Sequence, residues 1–189
     1  MKNNNTYVYI GRFQIPHLGH EAVMEHAIKS SNEVIILIGS ANSIRDSKNP
    51  FTYEERKEIL TNITNRLCKQ YNPQANVIIL PLNDFNDDNR WTAEVYDLIY
   101  SHTKNKNITI TGCQKSGDVS TFYLDLFPDW KQDFIKEVKI SGFDVISSTK
   151  IRELYFNNQE IPQVISLDTL HFLDCFKIKN LHIFNSFNN

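Results

Sequence analysis

Short apolar runs alternate with amphipathic stretches along most of the chain. The runs are rich in β-branched residues, which is typical of strands buried on both faces of a parallel sheet. The stretches between them repeat apolar residues every three or four positions, as a helix packed on a sheet does. The predicted strands are Tyr7–Ile10, Val34–Ile38, Val77–Leu80 and Ile108–Thr111. The predicted helices are His20–Lys29, the stretch carrying Ile59 to Leu67, and Thr92 to about Tyr100.

The pattern loosens after the fourth predicted strand. An edge strand is predicted over Phe134–Ile140, and the aromatic stretch Phe122–Trp130 is interpreted as core and lid packing. Ser148 is a favourable N-cap residue and predicts a helix over Thr149–Phe156. A final helix is predicted over Gln163–Phe176, followed by a frayed, Asn-rich tail.

Strand–helix alternation predicts an α/β fold, a Rossmann-like open parallel sheet of about five or six strands with helices on both faces. In such sheets, ligands bind at the carboxyl ends of the strands. The 189 residues favour one domain, 1–189, with a small helical portion from about residue 148.

Composition narrows the function classes. A net charge of −2 gives no support for non-specific nucleic-acid binding. No run approaches the roughly 18 apolar residues of a membrane helix, and the N-terminus lacks the apolar segment of a signal peptide. The cysteines Cys68, Cys113 and Cys175 are far apart, which favours reduced thiols and a cytoplasmic location.

The segment Gly11–His20, GRFQIPHLGH, lies where the first predicted strand turns into a helix. A helix N-terminus suits a phosphate, glycine permits close backbone approach, and the histidines His17 and His20 can donate hydrogen bonds. The alternatives are ordinary core histidines or a metal site, and no further metal ligands are spaced convincingly nearby. The segment therefore predicts a nucleotide polyphosphate site.

A second segment, Ser147–Arg152, also opens a predicted helix. Its hydroxyl and backbone N–H groups can cradle a phosphate, and Arg152 lies one turn further along. The alternative is an ordinary serine-capped helix with a solvated arginine.

Two loops follow the second and third predicted strands on the expected ligand side. Arg45 can pair with a substrate phosphate there, whereas Arg56 is predicted to brace the loop. Trp91 can stack on a flat heteroaromatic ring, or it can simply cover the core. The aspartates of this loop are interpreted as solvated; they are Asp84, Asp87 and Asp88.

Together these segments resemble the H-x-G-H and S-x-T-x-x-R nucleotidylyltransferases. Within that superfamily the chain resembles the nicotinamide mononucleotide (NMN) adenylyltransferases of the archaeal type and their bacterial relatives. The resembling segments are Gly11–Gln14 with His17–His20, Gly39–Arg45, Asn49–Arg56, Asn89–Trp91 and Ser147–Arg152.

The resemblance implies the nucleotidylyltransferase fold and the transfer of an adenylyl group from ATP to NMN, giving NAD and pyrophosphate, with Mg²⁺ carried by ATP and no dedicated metal site. It assigns catalysis to His17, His20 and Arg152. It assigns ATP binding to Gly11, Arg12, Phe13, Gln14, His17, Gly19, His20, Ser147, Ser148, Thr149 and Arg152. It assigns NMN binding to Phe13, Ser40, Arg45, Asn89 and Trp91. The oligomeric state stays open, with a homo-oligomer as one alternative.

The chain departs from the family pattern at two places. The family usually has Pro-Phe before the first histidine, where this chain has Ile15-Pro16, and Cys113 replaces a histidine in the segment Gly112–Asp118. Lys115 and Asp118 of this segment are further candidates for contact with substrate. Bacterial relatives often continue into a Nudix hydrolase domain, and because this chain has no Glu-rich Nudix box we expect no second activity.

Three alternatives to the NMN reaction remain at this stage. The acceptor can be nicotinate mononucleotide, or a phosphopantetheine or alcohol phosphate, although the last two leave Asn49–Arg56 and Trp91 without a role. The chain can also be a non-catalytic sensor of ATP or NAD, which the histidine pair disfavours.

Overall fold

The computed structural model describes residues 5–114, 125–136 and 147–187. The strands in these ranges are β1 (Thr6–Gly11), β2 (Glu33–Ile38), β3 (Asn76–Pro81), β4 (Ile108–Gln114) and β5 (Lys131–Lys136). The helices are α1 (Leu18–Ser30), α2 (Tyr53–Tyr71), α3 (Asp88–His102), α4 (Ser148–Phe156), α5 (Leu167–Lys179) and α6 (Leu181–Ser186).

The five strands form one parallel sheet in the order β3-β2-β1-β4-β5. The predicted Rossmann-like α/β fold is therefore confirmed. The chain moves outward from β1 first on one side and then on the other, so β1 and β4 flank the topological switch point. A crevice opens at the carboxyl ends of such a strand pair, which places Gly11 and Gly112 at its floor.

Alternate residues of the central strands pack on opposite faces of the sheet. Tyr7 and Tyr9 of β1 join the core formed with α1, α2 and the C-terminal helices, whereas Val8 and Ile10 join the core formed with α3. Phe127 stacks on Trp130 at 4.5 Å in this second core, which confirms core packing for that part of the aromatic stretch. Residues 122–124 lie outside the described ranges.

Several helices begin earlier than their apolar pattern indicates, because polar caps extend them. The N-cap of α1 is His17, and the N-cap of α3 is Asp87, whose carboxylate accepts the Arg90 N–H group at 3.0 Å. Trp91 therefore lies in the first turn of a helix, whereas the sequence pattern places it in a loop. The capping box of Thr52 and Glu55 is present at the start of α2.

The C-terminal third differs most from the sequence prediction. Ser147, and not Ser148, is the N-cap residue of α4. The final predicted helix is α5, which starts at Leu167 and is followed by a helix, α6, that the sequence prediction lacks; Phe184 of α6 is 1% exposed and joins the core. The predicted edge strand is β5, which begins earlier, at Lys131, and residues 137–140 lie outside the described ranges. No described helix is long and apolar enough to cross a membrane.

Candidate active site

A cavity of about 550 Å³ opens at the carboxyl ends of β1 and β4. It extends across the carboxyl ends of the strands, with α1 and α4 on one face of the sheet and α3 on the other. The predicted site residues that line it are Gly11, Arg12, Phe13, Gln14, His17, Gly19, His20, Ser40, Trp91, Ser147, Ser148, Thr149 and Arg152. Arg45 and Asn89 are not among its lining residues.

The two histidines form a capping box at the N-terminus of α1. His17 accepts the Gly19 N–H group on Nδ1 at 3.1 Å, and His20 accepts the His17 N–H group on Nδ1 at 3.2 Å. Their rings stack with centroids 3.8 Å apart. Because each Nδ1 accepts a hydrogen bond, each neutral ring carries its proton on Nε2. Each histidine is thereby oriented as an Nε2–H donor.

Backbone groups at this helix start are less available to a phosphate than the sequence implies. The Leu18 N–H group donates to the carbonyl oxygen of Val164 at 2.8 Å, and that of Gly19 is taken by His17. The imidazoles, more than the helix N-terminus, are therefore the donors that α1 offers to the cavity.

Gly19 is required by the position of the His17 ring. A Cβ atom at residue 19 would lie 2.9 Å from Cε1 and 3.0 Å from Nδ1 of His17. At Gly11 a Cβ atom would lie 2.8 Å from the ring of Phe13. Both glycines therefore make room for cavity-lining side chains.

The loop between β1 and α1 has an unusual backbone. Phe13 and Ile15 have φ angles of 51° and 95°, and Ile15 is fully buried. Such angles are rare for a β-branched residue and require support from neighbouring segments. Since proline is restricted to φ near −65°, this backbone excludes proline at residue 15, where the adenylyltransferases that the chain resembles usually have it. The proline of this chain stands at residue 16 instead.

The N-terminus of α4 faces the same cavity. The N-cap Ser147 makes no side-chain capping bond, while the hydroxyl of Ser148 donates to the carbonyl of Ile15 at 3.0 Å. Ser148 thus ties α4 to the β1–α1 loop instead of capping its own helix. The predicted role of Ser147–Thr149 as a phosphate cradle is compatible with this position, because a helix N-terminus attracts anions.

Arg152 lies one turn into α4 and is 8% exposed. It donates to the carbonyl of Gln14 at 3.3 Å and to the hydroxyl of Thr149 at 3.1 Å. Burial, and then the nearby charge of Arg12, lowers the pKa of Arg152. Two cations that destabilise each other beside a cavity would both be stabilised by a bound anion.

Arg56 braces the site from beneath, as the sequence predicts. It is 1% exposed and donates to the carbonyls of Arg12 and Gly39, both at 2.7 Å, and of Ser40 at 3.1 Å. Burial lowers its pKa to about 10. It therefore joins the ends of β1 and β2, and it holds Ser40 at a φ of 52°.

Arg45 is engaged elsewhere. Its guanidinium pairs with both carboxylate oxygens of Glu55, at 2.8 and 3.0 Å, and also donates to the carbonyl of Pro50. Asn89 is exposed on α3. In this conformation neither side chain reaches the cavity, so their part in NMN binding stays a prediction.

The α3 side of the cavity contains residues that sequence reasoning undervalued. Asp84 and Asp88, interpreted from the sequence as solvated, are both exposed, and they also line the cavity together with Phe85 and Trp91. The available signals were positional: Asp84 follows the carboxyl end of β3, and Asp88 lies one helical turn before Trp91. Lys115 and Asp118, which the sequence also suggests for substrate contact, lie outside the described ranges.

Metal ligands are not grouped in the part of the chain that the structure describes. There, no set of three or more His, Cys, Asp or Glu residues is placed to hold an ion.

Comparison with known proteins agrees with this geometry. Residues 8–179 match the model of the cytidylyltransferase-like family. A nicotinamide/nicotinic acid mononucleotide adenylyltransferase of Acinetobacter baylyi is 33% identical over 177 residues, covering 93% of this chain and 88% of the relative. A nicotinamide-nucleotide adenylyltransferase of Thermococcus onnurineus is 26% identical over 88% of this chain and 80% of its own.

Among solved structures, a bifunctional NMN adenylyltransferase/ADP ribose pyrophosphatase of Francisella tularensis, in complex with AMP and a manganese ion, superposes with a TM-score of 0.79 at 28% identity. The match covers 97% of this chain and 51% of that one. The chain therefore spans about half the length of this structural relative.

Proposed function

The chain belongs to the cytidylyltransferase-like family, and from that premise we propose that it transfers the adenylyl group of ATP to the phosphate of NMN, giving NAD and pyrophosphate. One observation carries the proposal: a single cavity joins the His17–His20 pair and the start of α4 to an aromatic end that contains Trp91. A dinucleotide-forming enzyme needs such a site, with a polar end for phosphates and a flat apolar surface for a ring. The names of the Acinetobacter and Thermococcus relatives support the same reaction.

The reaction itself needs little from a protein base. An oxygen of the NMN phosphate forms a bond to the α-phosphorus of ATP, and the bond from that phosphorus to the bridging oxygen of pyrophosphate breaks. The attacking phosphate is already an anion. Catalysis is then a matter of positioning and of stabilising the negative charge that shifts to the departing pyrophosphate.

The cavity side chains divide this work. The Nε2–H groups of His17 and His20 donate to phosphate oxygens, and Arg12 and Arg152 supply the positive charge. The backbone N–H groups at the start of α4 hold a further phosphate. Trp91 stacks on the pyridinium ring of NMN, where cation–π attraction adds about 0.5–2 kcal/mol.

Mg²⁺ belongs to this proposal as part of the substrate, travelling with the phosphates of ATP. It neutralises phosphate charge, which is the chemistry that Mg²⁺ commonly supplies with nucleotides. The manganese ion in the Francisella structure supports the use of a divalent metal by that relative.

We further propose that residues 1–189 act as one nucleotidylyltransferase domain in the cytoplasm.

Nicotinate mononucleotide is the second candidate acceptor, because the name of the Acinetobacter relative includes it. Incubation with ATP, Mg²⁺ and each mononucleotide, followed by chromatography of the products, tests both. We expect NAD and pyrophosphate in equal amounts from NMN. Tight binding of ATP without a dinucleotide product from either acceptor would contradict the proposal and favour a nucleotide sensor.

A further inference from the structure

We infer that Asp84 and Asp88 make the ring end of the cavity select NMN over nicotinate mononucleotide by charge. The inference rests on the proposed function and names the acceptor of that same site. The two mononucleotides share the phosphate, the ribose and the pyridinium ring. They differ at the ring substituent, which is a neutral amide in NMN and a carboxylate in nicotinate mononucleotide.

The cavity separates its charges across the edge of the sheet. Arg12 directly follows β1, and Arg152 lies on α4. Both line the cavity together with the two histidines. The carboxylates Asp84 and Asp88 belong to the opposite side, where α3 begins. One end of the cavity therefore attracts phosphates. At the other end both carboxylates are exposed, so solvent reduces, but does not remove, their repulsion of an added anion.

The acidic end coincides with the surface that can hold the ring. Asp88 and Trp91 are three residues apart on α3, so their side chains project from the same face of the helix. Phe85 lines the cavity between the two aspartates in sequence. A pyridinium ring stacked on Trp91 would lie beside these carboxylates, which stabilise its positive charge.

The backbone at Asp84 is held by a neighbouring loop. The side-chain amide of Asn42 accepts the Asp84 N–H group at 2.9 Å and donates to the Asp84 carbonyl at 3.2 Å. Fixed in this way, the backbone limits how far the carboxylate can retreat from a negatively charged ligand.

The positive groups near this segment are engaged with other partners. Arg56, whose charge Asp84 attracts, is buried and donates to three backbone carbonyls. The N-terminus of α3 is capped by Asp87 and carries Asp88 in its first turn, so its dipole is compensated. The guanidinium of Arg90 lies over the ring of Phe85, 4.3 Å from the centroid, and Arg90 is not among the lining residues of the cavity. A nicotinate carboxylate would thus meet two carboxylates there.

The test compares kcat/KM for NMN and for nicotinate mononucleotide, with saturating ATP and Mg²⁺, in the wild type and in Asp84→Asn, Asp88→Asn and the double variant. Asp97→Asn is the matched control, because Asp97 is an exposed aspartate of the same helix that does not line the cavity. We expect the wild type to favour NMN by about tenfold or more, since like charges in a binding site are strongly disfavoured.

In the double variant we expect this preference to shrink by about tenfold, mainly through faster use of nicotinate mononucleotide, while the KM for ATP changes less than about twofold. Asp97→Asn should keep the wild-type preference. A wild type that uses both acceptors equally, or a double variant with an unchanged preference, overturns the inference and leaves the proposed function standing. If neither acceptor yields a dinucleotide, the proposed function fails and the inference fails with it.

Discussion

The side-chain amide of Gln14 holds the backbone of Phe51 by both of its polar atoms. Nε2 donates to the Phe51 carbonyl at 3.1 Å, and Oε1 accepts the Phe51 N–H group at 3.0 Å. Gln14 is 2% exposed, and its own carbonyl accepts a hydrogen bond from Arg152. Gln14 therefore connects three segments that line or support the cavity.

Replacing Gln14 with alanine should destabilise the fold by about 2–4 kcal/mol, because two buried backbone groups of Phe51 lose their partners. Chemical denaturation measures this change. Gln74→Ala, at an exposed position, is the control and should change stability by less than about 0.5 kcal/mol. Equal stabilities of the two variants would show that the Gln14–Phe51 contact is not needed.

Replacing His20 with alanine should lower kcat about a hundredfold or more while the protein stays folded, since removing one positioned donor costs about 3–4 kcal/mol of barrier. Circular dichroism checks the fold and NAD formation checks the rate. His182→Ala, on the exposed side of α6, should retain full activity. Near-normal turnover of folded His20→Ala would falsify the role assigned to His20.

Gly19→Ala separates stability from activity. Alanine favours a helix by about 1 kcal/mol over glycine, and a disturbed His17 cap costs about the same. The net stability should therefore change little. The new methyl group displaces the His17 ring, and such a misplacement should lower kcat about tenfold to a hundredfold. Thermal melts and kinetics measured on one preparation test this, and an unchanged kcat would count against it.

Arg56→Ala should destabilise the fold by about 3 kcal/mol, because buried carbonyls lose their donors. Arg56→Lys should be intermediate, since an ammonium group cannot span the carbonyls that the guanidinium joins. Where the variants remain folded, the KM values should rise, because Arg12 and Ser40 line the cavity. Lys57→Ala, at the exposed next residue of α2, is the control. Denaturation and kinetics that do not distinguish Arg56→Lys from the wild type would contradict the bracing role.

We expect the ionisation of Tyr7 to lower the free energy of unfolding at alkaline pH. Burial, followed by the hydrogen bond to Asp133, raises the pKa of Tyr7 to about 12, from about 10 when unfolded. The neutral phenol is therefore favoured in the fold. Its contribution is complete below about pH 10 and is lost as the pH rises from about 10 to 12.

Denaturation at pH 9 and pH 11 should show the wild type losing about 1 kcal/mol more than Tyr7→Phe over this interval. Tyr155 also has a raised pKa because of burial, but it is present in both proteins and its effect cancels in the difference. Parallel pH dependences of the two proteins would refute the prediction.

Local chemistry made much of this protein predictable. Apolar runs and helical spacing determine which faces become buried, so the four predicted strands appear close to their expected bounds, and the first three helices appear where predicted but extend beyond their apolar pattern. The His17–His20 pair was identifiable because a strand end, a glycine and two donors stand within a few residues. Such signals need no knowledge of distant segments.

Polar partners far apart in the chain were not predictable in the same way. Ser148 is predicted from the sequence to cap a helix, but its hydroxyl contacts Ile15. Arg45 is predicted to pair with a substrate phosphate, and in this conformation it pairs with Glu55. Asp84 is exposed, as the sequence predicts, but its place at the cavity was not predictable.

The sequence by itself therefore determined the alternation of strands and helices and the ligand end of the sheet, because these follow from periodicity and connection rules. Only the tertiary structure decided which polar groups are consumed by the scaffold and which remain in the cavity. The physical reason is that a hydrogen bond needs two groups within about 3 Å, and packing brings such groups together from distant segments.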